Sequence, residues 1–250
     1  MKKIAVVMFL LLLGGMTAAP CEAKIHKGKT KDGVIFQYNT KTKTLTMSGK
    51  RIRGCWRENM KNIRTKKKVK RPPWEKWSWK AKKIVFKNGV ESVENGAFMN
   101  CYLVKKINFP RTLKKIGEQA FCDSGIKKLV LPDSVTEIGS CAFAKNSIEG
   151  GITEIRLPKN LRKIGSDAFT GHYFTSITIP KNVEYIGKLA CDECSKLKTV
   201  YIKSKKIKKI GKDIFRNIFH NVTVYVPKSK VKKYRKMFSR SMYAQVKAMK

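Results

Sequence analysis

The cysteines are the residues whose spacing most directly indicates chemistry. The chain contains seven, and Cys191 and Cys194 form a C-x-x-C pair. This spacing supports thiol–disulfide chemistry within a βαβ unit, or zinc binding together with a second ligand pair. The surrounding sequence provides neither setting. We therefore expect the cysteines to pack as small apolar side chains, with a redox role for Cys191 and Cys194 as the weaker alternative.

The three histidines and 17 acidic residues offer no recognisable catalytic arrangement. His26, His172 and His220 have no Ser, Cys or Asp partner at a spacing typical of a nucleophile and its base. The sequence also lacks a glycine-rich loop that would hold phosphate groups. We therefore predict a binding protein that is not an enzyme and that uses no metal or cofactor.

Positive charge is the second chemical feature of the chain. The chain has 56 basic and 17 acidic residues, which gives a formal net charge of +39 at pH 7. The excess is concentrated at the two ends, because residues 24–80 carry +16 and residues 228–250 carry +9 with no acidic residue. Such charge attracts polyanions with an affinity that falls as salt rises. The residues predicted to contact a polyanion are Arg64, Lys66, Lys67, Lys68, Lys70 and Arg71.

A repeated segment makes up most of the remaining chain. The pattern Ile-x-Leu-Pro-x-x-Val-x-x-Ile-Gly-x-x-Ala-Phe ends on Phe121, Phe143 and Phe169 in its three clearest copies. A looser copy before them ends on Phe98, two more copies follow, the first with Cys191 in the Phe place, and an incomplete one closes the series. The copies start 22 to 26 residues apart. A period of this length predicts a solenoid whose stacked repeats share one continuous core.

Each repeat contributes five apolar columns, which are clearest in the copy that ends on Phe143. Leu129 and Leu131 are two residues apart, which is strand spacing, so both side chains should point into the interior. Pro132 should end the strand because proline cannot donate to a sheet ladder. Gly139 predicts a sharp or left-handed backbone step. Phe143 and its equivalents should stack as a spine along the convex side.

This pattern resembles the BspA-type leucine-rich repeats of bacterial surface and secreted proteins, over residues 81–227. The resemblance implies an α/β-type but mainly β fold: a right-handed leucine-rich-repeat solenoid of six full repeats and one partial repeat, with parallel strands on its concave face. It also implies a β-rich N-terminal cap and a C-terminal helix that cover the ends of the core. Members of the family commonly serve adhesion to host or matrix proteins and surface display.

Residues 1–23 have the three-part form of a secretory signal. A charged start at Lys2 and Lys3 precedes an apolar run that is shorter than the ~20 residues of a membrane span. Cleavage after Ala23 predicts a secreted or cell-surface protein, and lipidation of Cys21 is the less favoured alternative. Six cysteines then remain, an even number that permits disulfides. The polyanions available outside the cell are teichoic acids, anionic lipids, acidic glycans and extracellular DNA.

The segments that flank the repeats are predicted to be caps. Residues 24–80 contain two expected strands, at 34–38 and 44–47, and all four tryptophans. An aromatic and basic binding surface is the alternative for this segment. Residues 228–250 are predicted to form a helical cap, and a membrane-surface helix is the alternative. The apolar residues that define its helical spacing are Val231, Tyr234, Phe238, Met242 and Val246.

The outward side chains of the concave strands are the predicted ligand contacts, because alternate strand residues point away from the core. They are Lys106, Asn108, Lys128, Glu154, Arg156, Thr178 and Tyr201. This face is mildly basic at one end and neutral at the other, so the strands alone do not indicate a groove for anions. We expect a monomer that binds a protein or glycan partner with this face. Binding of anionic envelope polymers through the basic ends is the alternative.

Overall fold

The structure is a computed structural model, and it describes residues 23–54, 71–146, 150–239, 241 and 243–250. The predicted signal segment as far as residue 22, Cys55, Met242 and the basic residues from Arg64 to Lys70 lie outside the described residues. The described chain is a stack of turns. Each full turn contributes one longer strand to the concave face and one strand of two residues to a second face.

The first turns come from the segment before the repeats. It forms β1 (Ile25–Lys29), β2 (Ile35–Asn39), β3 (Thr44–Ser48), β4 (Arg51–Ile52) and the short helix α1 (Glu75–Ser78). Strand β2 pairs antiparallel with β1 and β3, whereas β3 pairs parallel with the first strand of the repeats. The two predicted strands therefore form within one residue of their expected bounds. The sequence did not indicate β1.

The repeats then alternate longer and shorter strands. In chain order these are β5 (Lys83–Phe86), β6 (Ser92–Val93), β7 (Lys106–Asn108), β8 (Lys115–Ile116), β9 (Lys128–Val130), β10 (Glu137–Ile138), β11 (Glu154–Arg156), β12 (Lys163–Ile164), β13 (Ser176–Ile179), β14 (Tyr185–Ile186), β15 (Thr199–Ile202), β16 (Lys209–Ile210) and β17 (Val222–Val226). The short strands form one parallel sheet from β4 to β16. The concave wall is divided into three sheets, with breaks between β7 and β9 and between β11 and β13.

The predicted apolar columns line the interior, and the predicted phenylalanine spine is present. Phe121 stacks on Phe98 and on Phe143, with ring centroids 5.6 Å apart in both pairs. Phe143 stacks on Phe169 at 6.0 Å. Each of these rings is at most 2% exposed. Cys191 takes the next place in this row, so the smaller side chain interrupts the spine.

The structure corrects the prediction for the repeated glycine. Gly139 does not have a left-handed backbone, whereas Cys141, two residues later, has φ 51°. A Cβ atom on Gly139 would lie 2.6 Å from the backbone nitrogen of Glu118 in the preceding turn. Glycine is therefore needed because two backbones approach closely, and the left-handed step belongs to another column. In the first repeat Gly96 occupies that column, with φ 62°.

The aromatic residues of the N-terminal segment are mostly engaged within it. Trp74 is 2% exposed and its ring lies 6.3 Å from that of Phe36. Trp77 is stacked against His26 and Tyr38, at centroid distances of 4.0 and 5.0 Å. These contacts engage Trp74 and Trp77 within the segment, whereas Trp79 is 42% exposed.

The C-terminal helix is shorter than the sequence predicts. After a 3₁₀ turn at Lys228–Lys230, helix α2 spans Val231–Phe238 and buries Tyr234 and Phe238 against the last turn. Residues Ala244–Ala248, including Val246, form strand β18, which pairs parallel with β17. The C-terminal helix is present, but its expected extension to Val246 was wrong, because spacing along one segment does not reveal the unpaired edge of β17. That edge offers backbone hydrogen-bonding groups that β18 satisfies.

Candidate binding face

Pleating places the seven predicted contact residues on the concave side. Lys106 and Asn108 come from β7, Lys128 from β9, and the remaining ones from β11, β13 and β15. All seven are exposed in the strand pattern, and the residues between them point inward and are buried or half-buried. The concave face therefore presents one continuous set of side chains. It has two chemically different halves: a first half on strands β5 to β11 and a second half on strands β13 to β18.

The first half of the face contains a direct ion pair. The amino group of Lys128 lies 2.6 Å from a carboxylate oxygen of Glu154, directly opposite it in the register of β9 and β11. The side chains of Lys128 and Glu154 are 62% and 60% exposed. Solvent screens such a pair, which contributes little to stability. Its effect is to compensate the charge of Lys128 locally, while Lys106 keeps this half of the face mildly basic.

The second half carries an aromatic pair. Tyr201 on β15 lies opposite Thr178 on β13 and opposite Tyr225 on β17. The rings of Tyr201 and Tyr225 are stacked, with centroids 5.3 Å apart and planes inclined by 13°. Sequence reasoning missed Tyr225 because it lies in the incomplete last copy. A tyrosine pair of this kind offers apolar area together with two hydroxyl groups, which is typical of binding surfaces.

A pocket of about 390 Å³ opens at the break between β11 and β13. We call it the cationic pocket. Its lining consists of Ile155, Arg156, Leu157, Lys159, Thr178, Pro180, Lys181 and Lys203. Arg156 and Thr178 were predicted contacts, whereas the three lysines were not. The signal for them was present in the sequence, because each lysine occupies the Pro position of the repeat or the position after it.

One acidic residue lies beside the cationic pocket. Asp133 accepts a hydrogen bond from the backbone N–H of Lys159 at 3.0 Å, and the Lys159 amino group lies 3.7 Å from its carboxylate. This backbone hydrogen bond, together with the charges of Lys159 and Arg156, holds the pKa of Asp133 below its usual value. Asp133 is therefore an anion that compensates Lys159. Arg156, Lys181 and Lys203 form no ion pair with the described residues.

The second face, formed by the short strands, has a ladder of alternating charges that the sequence reading missed. Glu91 lies between Lys50 and Lys114, at 3.9 and 3.3 Å. Glu184 lies between Arg162 and Lys208, at 2.9 and 2.7 Å. Hydrogen bonds from Lys208 and Arg162 hold the pKa of Glu184 below its usual value. The signal for these contacts is one position of the repeat, which holds Glu91, Lys114, Thr136, Arg162, Glu184 and Lys208 in successive copies.

The candidate polyanion contacts can be placed only in part. Arg71 is described, and its guanidinium lies 3.1 Å from the carboxylate of Glu75 and 5.6 Å from the ring centre of Trp79. The other five candidates, Arg64, Lys66, Lys67, Lys68 and Lys70, lie outside the described residues. Three basic residues of the C-terminal segment, Lys232, Arg235 and Lys236, are described and lie exposed on α2, where a polyanion could reach them.

The described cysteines belong to the core. Cys101, Cys122, Cys191 and Cys194 are buried and Cys141 is half-buried, and all five are free thiols. The thiol of Cys194 donates to the backbone oxygen of Phe169 at 3.1 Å. Burial raises the pKa of Cys194 well above its usual value, and it raises that of Cys101 to about 12. A reactive thiol requires a lowered pKa, so these environments disfavour the redox interpretation.

His172 is also an internal structural residue. Its Nδ1 accepts a hydrogen bond from the Ile152 N–H at 3.2 Å, and its Nε2 donates to the oxygen of Phe143 at 2.8 Å. Burial lowers the pKa of His172 to about 4, so the ring is neutral at pH 7. His220 makes a similar contact with the oxygen of Leu197 at 2.8 Å.

Two further findings concern only the part of the chain that the structure describes. None of its helices has the length and apolarity that crossing a membrane requires. Its His, Cys, Asp and Glu side chains form no group of three or more with the geometry to hold a metal ion.

The stacked turns, the parallel concave strands and the phenylalanine spine define a leucine-rich-repeat solenoid. The chain belongs to the family of the BspA type leucine rich repeat region, whose model matches residues 76–150 and 150–245 with six copies. The predicted family and the mainly β solenoid are thereby confirmed. No curated protein matches the sequence significantly.

Similar solved structures are bacterial leucine-rich repeat proteins. The T. pallidum leucine rich repeat protein TpLRR is 16% identical with a TM-score of 0.53, and the match covers 88% of this chain and 96% of that one. The pneumococcal vaccine antigen PcpA is 22% identical with a TM-score of 0.52, over 68% of this chain and 42% of that one. A leucine-rich repeat protein from Bacteroides ovatus is 23% identical with a TM-score of 0.37, over 68% and 55%. The match thus spans about half the length of the last two proteins. The likenesses to TpLRR and PcpA show the fold alone.

Proposed function

We propose that the mature chain is an exported interaction scaffold that binds a partner protein at the bacterial surface and so serves adhesion. The observation that carries the proposal is the second half of the concave face. There the stacked Tyr201 and Tyr225 lie beside Thr178 on a rigid parallel sheet. Solenoids use such faces for extended contacts with other proteins. Surface location is supported by the family and by the three-part form of residues 1–23.

Aromatic side chains on this face are suited to a role as binding anchors. Tyrosine buries a large area and loses little conformational entropy, so it is common among residues that dominate interface energies. Tyr201 is 39% exposed although its ring is stacked on Tyr225. The stack fixes the ring before a ligand arrives, which reduces the entropy cost of binding.

Solid-phase binding of residues 24–250 to purified collagens, laminins and serum glycoproteins tests the proposal. Tyr201→Ala should weaken binding at least about tenfold, as expected for an interface anchor. Tyr185→Ala is the matched control, because Tyr185 has a similar exposure of 42% but lies on the second face. Circular dichroism checks that both variants are folded. Equal loss in the two variants, or binding to none of these proteins, would contradict an adhesive concave face.

Binding of anionic envelope polymers is the second candidate function. It is favoured by residues 228–250, which carry +9 without an acidic residue. Deleting this tail is a poor test because Tyr234 and Phe238 cover the core. Replacing the exposed Lys232, Arg235 and Lys236 by Gln removes charge and keeps the helix. Retention on the producer's cell envelope across a salt series should then fall and become less dependent on salt. Unchanged retention would exclude the C-terminal charge from this role.

A further inference from the structure

We propose that the cationic pocket binds carboxylate side chains from an extended acidic segment of the partner protein. The inference rests on the proposed function and specifies the chemistry of the ligand. It starts from a charge imbalance. Arg156, Lys181 and Lys203 gather at one opening and form no ion pair with a described residue, while the one nearby carboxylate, Asp133, pairs with Lys159 and is also influenced by the charge of Arg156. Like charges held together repel each other and focus a positive potential on the opening.

On the second face, two carboxylates form ion pairs with some of the basic residues. There Glu91 and Glu184 each bridge basic residues of two neighbouring turns. Among the described residues, Arg156, Lys181 and Lys203 have no such bridging carboxylate, and their pocket adjoins the concave strands, unlike the opening lined by Lys163, Lys188, Lys209 and Lys212 on the second face. A ligand that brings carboxylates would supply the missing partners, and guanidinium and ammonium groups bind carboxylates with strong charge-assisted hydrogen bonds.

The floor of the pocket adds an apolar requirement. Leu157 is 7% exposed and Pro180 is also buried, while Ile155 is half-buried. A pocket of about 390 Å³ is within the usual range for ligand sites, which combine apolar walls with a few polar groups. A bare polyanion satisfies only the rim. A peptide in which acidic residues flank an apolar one satisfies both rim and floor.

The length of the segment follows from the strand spacing. Arg156, Thr178, Tyr201 and Tyr225 lie on four successive concave strands. Strands β13, β15 and β17 are hydrogen-bonded neighbours about 4.8 Å apart, whereas a break separates β11 from β13, so the three steps span at least roughly 14 Å. Covering that distance takes at least about four extended residues at 3.3 Å each. Such a segment would place its carboxylates over the pocket and its apolar or aromatic residue on the tyrosine pair.

The outward residues of the second half include no carboxylate that would repel an acidic segment. Those on the four strands that form this part of the wall are Ser176, Thr178, Thr199, Tyr201, Thr223, Tyr225, Gln245 and Lys247.

The test uses residues 24–250 and a fluorescein-labelled peptide of sequence Gly-Asp-Leu-Asp-Tyr-Asp-Leu-Gly. Its counterpart has Asn at each Asp, and an oligogalacturonate serves as an acidic sugar. Fluorescence anisotropy should show saturable binding of the acidic peptide, at least about tenfold tighter than the Asn peptide. Lys181→Glu combined with Lys203→Glu should weaken it at least about tenfold. Lys188→Glu combined with Lys212→Glu makes the same charge change on the second face and should have little effect.

Each alternative outcome overturns the inference in a distinct way. Equal loss in both double variants would mean that only the overall charge attracts the peptide. Tighter, pocket-dependent binding of the oligogalacturonate would assign the pocket to acidic glycans. No saturable peptide binding, with Tyr201→Ala still weakening adhesion, would remove this pocket assignment and leave the proposed function intact. Failure of adhesion in the matrix-protein assay would instead remove the proposed function.

Discussion

Phe238 of helix α2 stacks on Phe215 of the last repeat, with ring centroids 6.0 Å apart and planes inclined by 4°. The interplanar angles in the spine of Phe98, Phe121 and Phe143 are similarly small, at 7° and 11°. The helix therefore adds one further ring to the row that runs through the repeats. Helix α2 therefore covers the end of the solenoid with the same phenylalanine stacking that joins the repeats.

Phe238→Ala should destabilise the protein by about 3–5 kcal/mol, the usual cost of removing a buried phenylalanine side chain. The change both leaves a cavity and exposes Phe215. Urea unfolding measures the loss, and Lys236→Ala on the exposed side of α2 is the control, expected to change stability by less than about 0.5 kcal/mol. If both variants unfold at the same urea concentration, α2 does not cover the core in solution.

Gly139→Ala should be costly because the added methyl group has no space. Its Cβ atom would lie 2.6 Å from the backbone nitrogen of Glu118, so two turns of the solenoid must separate. Gly89→Ala is the control, because a Cβ atom there meets nothing within 4 Å and only the positive φ of 96° opposes it. That strain costs about 1–2 kcal/mol. A smaller loss for Gly139→Ala than for Gly89→Ala, in the same urea experiment, would show that the turns are less tightly stacked.

His172 should make stability depend on pH in the range between about 4 and 6.5. Burial, with a smaller contribution from the charge of Lys145, lowers the pKa of His172 from its usual 6.5 to about 4, and the hydrogen bond to Phe143 and the charge of Asp123 oppose this shift. Between these values the unfolded chain binds a proton that the folded chain does not. Stability is therefore fully present above pH 6.5 and is lost as the pH falls towards 4. The loss is on the order of 3 kcal/mol, since one pKa unit corresponds to about 1.4 kcal/mol.

His172→Gln is the matched variant for this prediction. A glutamine can accept from the Ile152 N–H and donate to Phe143, but it does not titrate. Its urea midpoint should depend less on pH between 4 and 6.5 than that of the natural protein. Identical pH profiles for the two proteins would show that His172 is not the group responsible.

The repeat pattern predicted the fold because each column obeys a local rule. Strand spacing identified Leu129 and Leu131 as inward residues, and both are buried. What depends on contacts between distant segments could not be predicted in this way. Strand β18 forms at the open edge of β17, and Gly139 is required by a neighbouring turn. Neither partner can be recognised from the local sequence.

The cationic pocket was missed for a related reason. Lys159, Lys181 and Lys203 lie beyond the strands, where the outward and inward alternation no longer applies. Aligning the repeats by their Pro position would have shown that these lysines stack on one rim. The break between β11 and β13, which opens the pocket, depends on the packing of whole turns.

The thiols should react slowly in the folded protein. Burial raises the pKa of Cys101 and of Cys122 from 9.0 to about 12, which lowers the thiolate fraction at pH 8 about 1000-fold. Cys194 is similarly buried and donates to Phe169. Iodoacetamide labelling followed by peptide mass spectrometry should therefore find these three positions protected in the native chain and modified in guanidinium chloride. Cys141, which is half-buried, is the internal reference and should react earlier. Rapid native labelling of Cys194, or a disulfide between Cys191 and Cys194, would instead restore the redox interpretation, because it would require a reactive thiolate at Cys194, where burial disfavours one.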